Sequence, residues 1–266
     1  MPEVSDPGKV LVSSHDHVVV ITLNRPDARN AVDHDVCLLV GNAVAAADSD
    51  PDVRVIVLTG AGDQAFSAGA DLKAIMRGER ILPVGREHWS IAGFANHFTS
   101  KPTIAAVNGA ALGGGTELAL SCDLVVAVET ATIGLPEVKR GLVAGAGGAF
   151  RLTRQLPHRV ALELLLTGEP MSATDALRWG LINRVVPAGG ALGAAMGLAA
   201  QIAANAPLAV QASKRIAYGA EDGTRHDEDS LWALTEREFA VLALSEDAKE
   251  GPRAFAEKRS PIWLAR

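Results

Sequence analysis

Two residue types are scarce in this chain of 266 residues. It contains only 2 cysteines, and aromatic residues make up 4% of the sequence. Both cysteines, Cys37 and Cys122, lie in apolar runs, and no disulfide or catalytic signature accompanies either of them. We therefore expect two buried free thiols rather than a disulfide or a cysteine nucleophile.

An excess of positive charge and a long apolar run are also missing. The net charge of −6 argues against a nucleic-acid partner, because nucleic-acid binding requires a basic face. No uninterrupted apolar run approaches the ~20 residues of a membrane helix, and residues 1–9 lack the basic and apolar parts of a signal peptide. We expect a cytoplasmic protein without a nucleic-acid or membrane partner. A few Arg and Lys side chains would still suffice to hold an anionic ligand.

The apolar pattern along the chain indicates an α/β fold. Runs rich in β-branched residues predict buried strands at 53–58, Thr103–Val107 and Leu124–Val128, and helical spacing predicts helices at 32–47 and 113–121. Strands that alternate with helices favour parallel pairing with crossover helices. After residue 145 helices dominate, and they are predicted at 149–155, 159–167, 172–179, 191–204, 208–218, 229–244 and 247–258. We expect a core over 1–200 and a helical C-terminal region over 201–266.

Two glycine-rich turns each follow a predicted strand. In the first, 66–72, Gly69 would let the backbone turn so that the N–H of Ala70 points outward, and Asp71 could cap the next helix. The second has three consecutive glycines at 113–115, each of which costs roughly 1 kcal/mol relative to alanine inside a helix. Such a cost suggests that something approaches this backbone closely, and N–H groups there would stabilise an oxyanion. The alternative is a pair of capped turns that merely pack tightly.

Two glutamates follow the second turn. Glu117 lies one helical turn into the predicted helix, and Glu137 follows Pro136 on a later turn. Beside an oxyanion hole, such carboxyl groups are candidates for a general acid and a general base. Two carboxylates that share a site would raise the pKa of one, so that one holds a proton while the other stays ionised. Either glutamate alone would be read as a surface residue.

Other segments carry weaker signals. Residues 77–97 break the regular pattern and are expected to shape a ligand pocket, with Trp89 and Phe94 as its deciding side chains; a plain surface loop is the alternative. Residues 145–148 lack the Lys of a phosphate-binding loop, so a closely packed helix start fits them better. No carboxylate or cysteine cluster completes a metal site around the histidines at 15, 17 and 34.

Together these residues resemble the crotonase superfamily, whose best-known member is enoyl-CoA hydratase. The resemblance covers nearly the whole chain and rests on the segments 24–26, 28–31, 66–72, 107–123, 133–137, 145–148, 167–168, 173–186 and 255–261. It implies a spiral of β-β-α units that forms two sheets. It further implies a C-terminal helical trimerisation region, giving homotrimers that often pair into hexamers.

The resemblance also implies roles for individual residues. The N–H groups of Ala70 and Gly114 would hold the thioester oxygen of an acyl-CoA substrate. Coenzyme A would lie along the first turn and along residues 29–31, with its phosphates near two basic side chains. A third basic side chain would reach these phosphates from a neighbouring subunit. The residues implied for substrate binding are Arg29, Ala31, Ala68, Asp71, Leu72, Lys73, Gly145 and Lys258, with Arg29, Lys73 and Lys258 as the basic ones.

By this resemblance the expected reaction is reversible addition of water across a 2-enoyl-CoA. Glu117 would deprotonate the water that attacks Cβ, and Glu137 would deliver a proton to Cα. No metal or cofactor is implied, since coenzyme A is part of the substrate. Open alternatives are a Δ3,Δ2-enoyl-CoA isomerase that uses Glu137 alone, a carnitinyl-CoA-type dehydratase, and a non-catalytic scaffold that binds CoA or RNA. Departures from the family pattern at Thr116, Leu135 and Ala144 leave the acyl group open.

Overall fold

The computed structural model describes residues 8–221 and 223–266, so the start of the predicted 1–200 core and most of the segment searched for a signal peptide lie outside the described residues. The strands are β1 (Val10–His15), β2 (Val18–Leu23), β3 (Val55–Gly60), β4 (Ala65–Ser67), β5 (Thr103–Val107), β6 (Ala110–Leu112), β7 (Leu124–Val128), β8 (Thr132–Gly134), β9 (Met171–Ser172) and β10 (Arg184–Val186). The helices are α1 (His34–Ser49), α2 (Leu72–Met76), α3 (Gly114–Ser121), α4 (Gly148–Gln155), α5 (His158–Thr167), α6 (Ala173–Arg178), α7 (Ala191–Ala203), α8 (Pro207–Tyr218), α9 (Asp229–Ala243) and α10 (Glu246–Ala256).

The first sheet forms the centre of the core. Its strand order is β1-β2-β3-β5-β7-β10, and every pair except the β1–β2 hairpin is parallel. All residues of β3 and β5 are buried, as their β-branched runs predict for strands covered on both faces. Helix α7 packs against β3, β5 and β7. The predicted parallel α/β core is therefore confirmed.

A second, smaller sheet has the order β4-β6-β8-β9. Strands β4, β6 and β8 each follow a strand of the first sheet, and each leads into a helix or a 3-10 turn, so the chain repeats a strand-strand-helix unit. These three short strands are parallel neighbours, with Ser67 opposite Ala111 and Leu112 opposite Gly134. Because the carboxyl ends of neighbouring parallel strands lie at one edge of a sheet, the three turns that follow them meet there.

Side-chain caps explain where several helices begin. The carboxylate of Asp71 accepts hydrogen bonds from the N–H groups of Lys73 and Ala74, which confirms the predicted cap of α2. Helix α1 begins at His34, two residues later than predicted, because the side chain of Asp33 caps it. Helix α7 runs to Ala203, so the boundary predicted at residue 200 falls within its last turn, and the division into two regions stays a prediction.

The C-terminal helices cover less of the core than the earlier ones. Helices α8 and α9 contain no fully buried residue. Helix α10 packs against the 3-10 turn Pro136–Arg140, where an added Cβ at Gly251 would lie 1.8 Å from the carbonyl oxygen of Arg140. The C-terminal region therefore returns to the segment that carries Glu137 while it leaves apolar side chains exposed.

Within residues 8–221 and 223–266, no single helix is long and apolar enough to cross a membrane. Helices α7 and α8 reach that length and composition only together, as a pair bent by 106°. Of these two helices, α7 packs on the first sheet.

Replacing Gly115 with alanine should destabilise the fold sharply. A Cβ at this position would lie 2.1 Å from the carbonyl oxygen of Ser67, which belongs to the backbone of the neighbouring turn. Overpacking of this kind costs about 1–3 kcal/mol or more, and we expect a clear fall in Tm by calorimetry. The matched control is Gly193→Ala in α7, where nothing lies within 4 Å of the new Cβ. That change should stabilise the helix by about 0.5–1 kcal/mol, and equal effects of the two variants would contradict the argument.

Candidate active site

The first feature of the site is a direct contact between two backbone segments. An added Cβ at Gly69 would lie 2.6 Å from the amide nitrogen of Gly114. Conversely, a Cβ at Gly114 would lie 3.2 Å from Cα of Gly69 and 3.5 Å from the amide nitrogen of Ala70. The turns after β4 and β6 thus approach so closely that Gly69, with its positive φ of 80°, has no room for a side chain.

The amide groups of Ala70 and Gly114 are free at this contact. Among residues 8–221 and 223–266, neither N–H donates a hydrogen bond, whereas the neighbouring amides of Asp71 and Gly113 bond to Val32 and Gly134. Gly114 is the first residue of α3, where the N–H has no acceptor within the helix. Two adjacent unpaired donors are the arrangement that an oxyanion hole requires. The placement supports the predicted pair, whose role stays a prediction.

Three side chains support the first turn and were not singled out from the sequence. The hydroxyl of Ser67 donates to the carbonyl oxygen of Asn30 at 2.8 Å and accepts from the N–H of Gly69 at 3.1 Å. The buried side chain of Asn30 donates to the carbonyl oxygens of Ala61 and Ala65. Asn30 and Ser67 belong to segments that carry the family resemblance. Because both side chains bond to backbone atoms, no sequence pattern marks their role in supporting the turn.

Arg25 is the third of these supporting side chains. Its guanidinium donates to the carbonyl oxygen of Ala31 at 2.7 Å and to the carboxylate of Asp71 at 3.0 Å. Burial raises the pKa of Asp71, but the N–H groups of α2 and Arg25 outweigh it and lower the pKa overall. The carboxylate of Asp71 is thus committed to structure, and only the backbone of this residue is open to a ligand.

Glu117 lies in the first turn of α3 and is buried, with 3% of its surface exposed. Its Oε1 accepts hydrogen bonds from the N–H groups of Ala146 and Gly148 at 2.7 and 2.9 Å. A Cβ at Gly148 would lie 2.8 Å from Cγ of Glu117, so this position must be glycine. Burial raises the pKa of Glu117, while the two N–H donors and Arg151 partly lower it. Residues 145–148, for which a closely packed helix start was expected, therefore pack against Glu117, the predicted base.

Glu137 lies in the 3-10 turn that follows β8. One carboxyl oxygen, Oε1, is 3.2 Å from the position that a Cβ of Gly113 would occupy. The other, Oε2, is buried and has no hydrogen-bond partner within the described ranges. Burial and then the charge of Glu117 raise the pKa of Glu137. Both pKa values are thus raised, not one as expected, because both groups are buried. Glu117, with two N–H donors, ionises before Glu137.

The irregular segment 77–97 contributes to the site through a residue that the sequence analysis did not name. Cδ1 of Ile91 lies 2.5 Å from the position that a Cβ of Gly114 would take. Trp89 packs against Gly41 of α1 and stacks on His97, and together with Phe94 it lines a cavity of about 350 Å³. Whether these two side chains select the acyl group stays a prediction. From α9, Phe239 lies 3.2 Å from the position of an added Cβ at Gly145.

The residues implied for CoA binding fall into three places. Segments 29–32 and 68–71 are neighbours. The N–H of Ala68 donates to the carbonyl oxygen of Arg29, and Val32 forms an isolated parallel β-bridge with Ala70. In this pair of segments Ala31 and Asp71 are buried, and Leu72 is half-buried. Lys258 ends up beyond α10, and Gly145 lies beside the turn that binds Glu117. The exposed members of the set are Arg29, Ala68, Lys73 and Lys258.

Other titratable groups do not form a second centre in the described part of the chain. There, no three His, Cys, Asp or Glu side chains lie together as metal ligands would. The predicted free thiols are confirmed, because Cys37 and Cys122 are buried and unpaired. The expectation that neither a metal nor a cofactor takes part stays a prediction.

Comparisons with known proteins identify the family of this chain. The family model for enoyl-CoA hydratase/isomerase matches residues 13–266. A carnitinyl-CoA dehydratase from Salmonella typhi is 43% identical, covering 94% of this chain and 95% of that protein. Among solved structures, a carnitinyl-CoA hydratase from Mycobacterium avium is 61% identical with a TM-score of 0.96, covering 97% and 99% of the two chains. An enoyl-CoA hydratase from Mycobacterium tuberculosis is 45% identical with a TM-score of 0.75 and the same coverage. This chain therefore belongs to the enoyl-CoA hydratase/isomerase family, within the crotonase superfamily.

Proposed function

We propose that this protein is an acyl-CoA hydro-lyase that adds water reversibly across the double bond of a 2-enoyl-CoA. The observation that carries the proposal is the pair of free N–H groups, at Ala70 and Gly114, close to the buried carboxyl groups of Glu117 and Glu137. A thioester oxygen gains negative charge when water adds to Cβ or when Cα loses a proton, and two N–H donors would stabilise it. The names of the relatives, carnitinyl-CoA dehydratase and enoyl-CoA hydratase, support the same chemistry.

In this proposal the two glutamates have different tasks. During hydration, Glu117 takes a proton from a water molecule as the water oxygen bonds to Cβ, and Glu137 gives its proton to Cα. After one hydration Glu117 holds a proton and Glu137 has lost one, so a proton must pass from Glu117 to Glu137, directly or by exchange with solvent water, before the next turnover. Dehydration reverses both transfers. The division is supported by the two N–H donors that favour the carboxylate form of Glu117. The buried, unpartnered Oε2 of Glu137 favours its protonated form.

Carnitinyl-CoA is the first candidate for the hydrated substrate, because relatives that are 61% and 43% identical bear names that contain it. It carries a hydroxyl at Cβ, so its dehydration uses the same two proton transfers. We propose that the CoA portion lies along the adjacent segments 29–31 and 68–73, with Arg29 and Lys73 at its phosphates. Gly145 would lie beside the reacting carbons, and no cofactor is proposed apart from the CoA of the substrate.

The alternatives have weaker support. An isomerase needs only Glu137, yet Glu117 is buried and held by two N–H donors, which is a costly arrangement for a bystander. In a non-catalytic scaffold that binds CoA or RNA, the buried Oε2 of Glu137, which has no hydrogen-bond partner among the described residues, would have no role. RNA binding also conflicts with the net charge of −6.

We further propose a homotrimer, or a hexamer of two trimers, assembled through residues 201–266. The support is the exposure of large apolar side chains on helices that bury little within the chain, notably Leu208 (77%), Ile216 (81%) and Leu244 (82%). In such an assembly Lys258 would reach the CoA phosphates bound by a neighbouring copy. A cytoplasmic location belongs to the same proposal, since two buried free thiols suit a reducing compartment.

Glu117→Gln and Glu137→Gln should each abolish most of the activity. Loss of a general acid or base lowers the rate by about 10²–10⁴-fold, and we expect losses in this range for kcat with crotonyl-CoA hydration and carnitinyl-CoA dehydration. Absorbance of the enoyl thioester follows both reactions. The matched control is Glu129→Gln, an exposed glutamate that should leave kcat unchanged. Double-bond migration that survives Glu117→Gln, with no hydration by the wild type, would instead identify an isomerase.

The pH profile of kcat/KM should be bell-shaped. Hydration requires Glu117 ionised, so activity falls as the pH drops through its pKa, and it requires Glu137 protonated, so activity falls as the pH rises through the pKa of that group. Burial raises both pKa values above the ordinary 4.5 of a glutamate, so the acidic limb should lie well above pH 4.5. The two apparent values belong to the interacting pair. An acidic limb at or below pH 4.5 would contradict the assignment of that limb to Glu117 with a raised pKa.

The assembly can be measured by light scattering after gel filtration. We expect a mass three or six times that of the 27.7-kDa chain. Leu208→Asp and Ile216→Asp should release smaller species, because a charge on an apolar interface is left unpaired. Val84→Asp is the control, since Val84 is equally exposed (77%) but lies outside 201–266. A wild-type monomer, or dissociation by the control as well, would count against the proposed interface.

A further inference from the structure

We infer that Arg151 is a positioning residue for Glu117, which it serves in two ways: it locks the helix that carries Glu117, and it places a fixed positive charge near that carboxyl group. The inference rests on the proposed function, in which Glu117 is the base. Arg151 lies in α4, one turn after Gly148, whose N–H binds Glu117. Its side chain is almost completely buried, with 6% exposed.

The guanidinium of Arg151 joins three separate parts of the chain. Its Nη1 donates to the hydroxyl of Ser121 and to the carbonyl oxygen of Ala95, both at 2.5 Å. Its Nε and Nη2 form a two-pronged contact with Glu228, the closest distance being 2.7 Å from Nη2 to Oε2. Planar, two-pronged pairing of this kind fixes both position and orientation.

Ser121 transmits this fixation to the predicted base. It is the last residue of α3, and its hydroxyl donates to the backbone carbonyl oxygen of Glu117 at 2.7 Å. Arg151 therefore holds the end of α3, while the amides just before it in the sequence hold the carboxyl group at the beginning of that helix. One short segment, 146–151, thus holds Glu117 in two places. Arg151 acts on its backbone through Ser121, and two N–H groups bind its carboxyl group.

The charge of Arg151 is not cancelled by its partner. Glu228 is shared among three guanidinium groups, those of Arg151 (2.7 Å), Arg225 (2.8 Å) and Arg154 (3.6 Å), and Asp227 is the only other carboxylate that pairs with them in the described ranges. The cluster thus keeps an excess of positive charge close to α3. The positive charge of Arg151 lowers the pKa of Glu117, while burial raises it.

The groups that act on Glu117 come from three directions. Glu137 faces it from the 3-10 turn after β8, the N–H groups of Ala146 and Gly148 come from the turn before α4, and Arg151 comes from α4 itself. Glu228 stands behind Arg151 and is bound further by Nε1 of Trp232 at 3.3 Å. The two N–H groups favour the ionised form of Glu117 as dipoles, and of these groups only Arg151 adds a permanent cation in its support.

Arg151→Gln removes this charge, and the predicted effect is a displaced pH profile rather than a uniform loss. The acidic limb of kcat/KM should move to higher pH by about 1 unit, because loss of a nearby cation raises a carboxyl pKa. Glu228→Gln leaves the cation and removes a negative charge, so the limb should move the other way, to lower pH. Arg151→Lys keeps the charge and should keep the limb in place. The control Arg159→Gln removes an exposed arginine of the next helix, α5, that takes no part in this cluster, and it should leave the limb unmoved.

A second readout keeps this inference separate from the proposed function. Infrared difference spectra can follow the carboxyl band that is lost in Glu117→Gln, and its midpoint should shift with the same signs in the same variants. If the wild type hydrates no acyl-CoA, the proposed function fails while the infrared titration still tests Arg151. Unmoved midpoints in folded Arg151→Gln would overturn the inference, as would equal losses at every pH. Should Arg151→Gln not fold, a shift to lower pH in Glu228→Gln supports the inference, and no shift overturns it.

Discussion

The contact between the backbones at Gly69 and Gly114 is the constraint on which the site depends. Two segments can present amide groups to one small atom only if their main chains nearly touch, and any Cβ at Gly69 would lie 2.6 Å from the nitrogen of Gly114. The second sheet produces this approach, because the parallel strands β4 and β6 end side by side. The glycines that weaken α3 as a helix are therefore required by its neighbour, the turn after β4.

The same edge of the sheet explains why the acidic groups are buried. Strand β8 continues the parallel series, and its turn delivers Glu137 next to Gly113. Burying two carboxyl groups is costly unless each is neutral or well hydrogen-bonded. Glu117 meets this condition through two amide donors, whereas burial and the charge of Glu117 raise the pKa of Glu137 and favour its neutral form. Different surroundings thus favour opposite protonation states in two identical side chains, as the base and acid roles that we propose require.

The sequence was sufficient for β3, β5 and β7 of the first sheet and for most helices, because β-branched runs and apolar spacing extend over five or more residues there. It was insufficient for β4, β6, β8 and β9, which are two or three residues long and have no detectable period. The glutamates could be named because glycine-rich turns marked their surroundings. Ile91 and Arg151 could not be named, since their contacts come from segments distant in the sequence. The direction of each side chain in the irregular segment 77–97, such as the stacking of Trp89 on His97, could not be predicted either, because the segment has no period.

The C-terminal helices connect the chemistry to the rest of the molecule. Helix α9 places Phe239 beside Gly145 and Trp232 beside Gly147, on either side of the residue whose amide binds Glu117. The same helix leaves Leu234, Val241 and Leu244 exposed. The inner face of α9 therefore packs on the turn whose amides bind the carboxyl group of Glu117, while its outer face stays exposed among the described residues. In the trimer that we propose, a neighbouring copy would cover the outer face. Contacts that order α9 there would then also steady the turn at 145–148 and the carboxyl group that this turn holds.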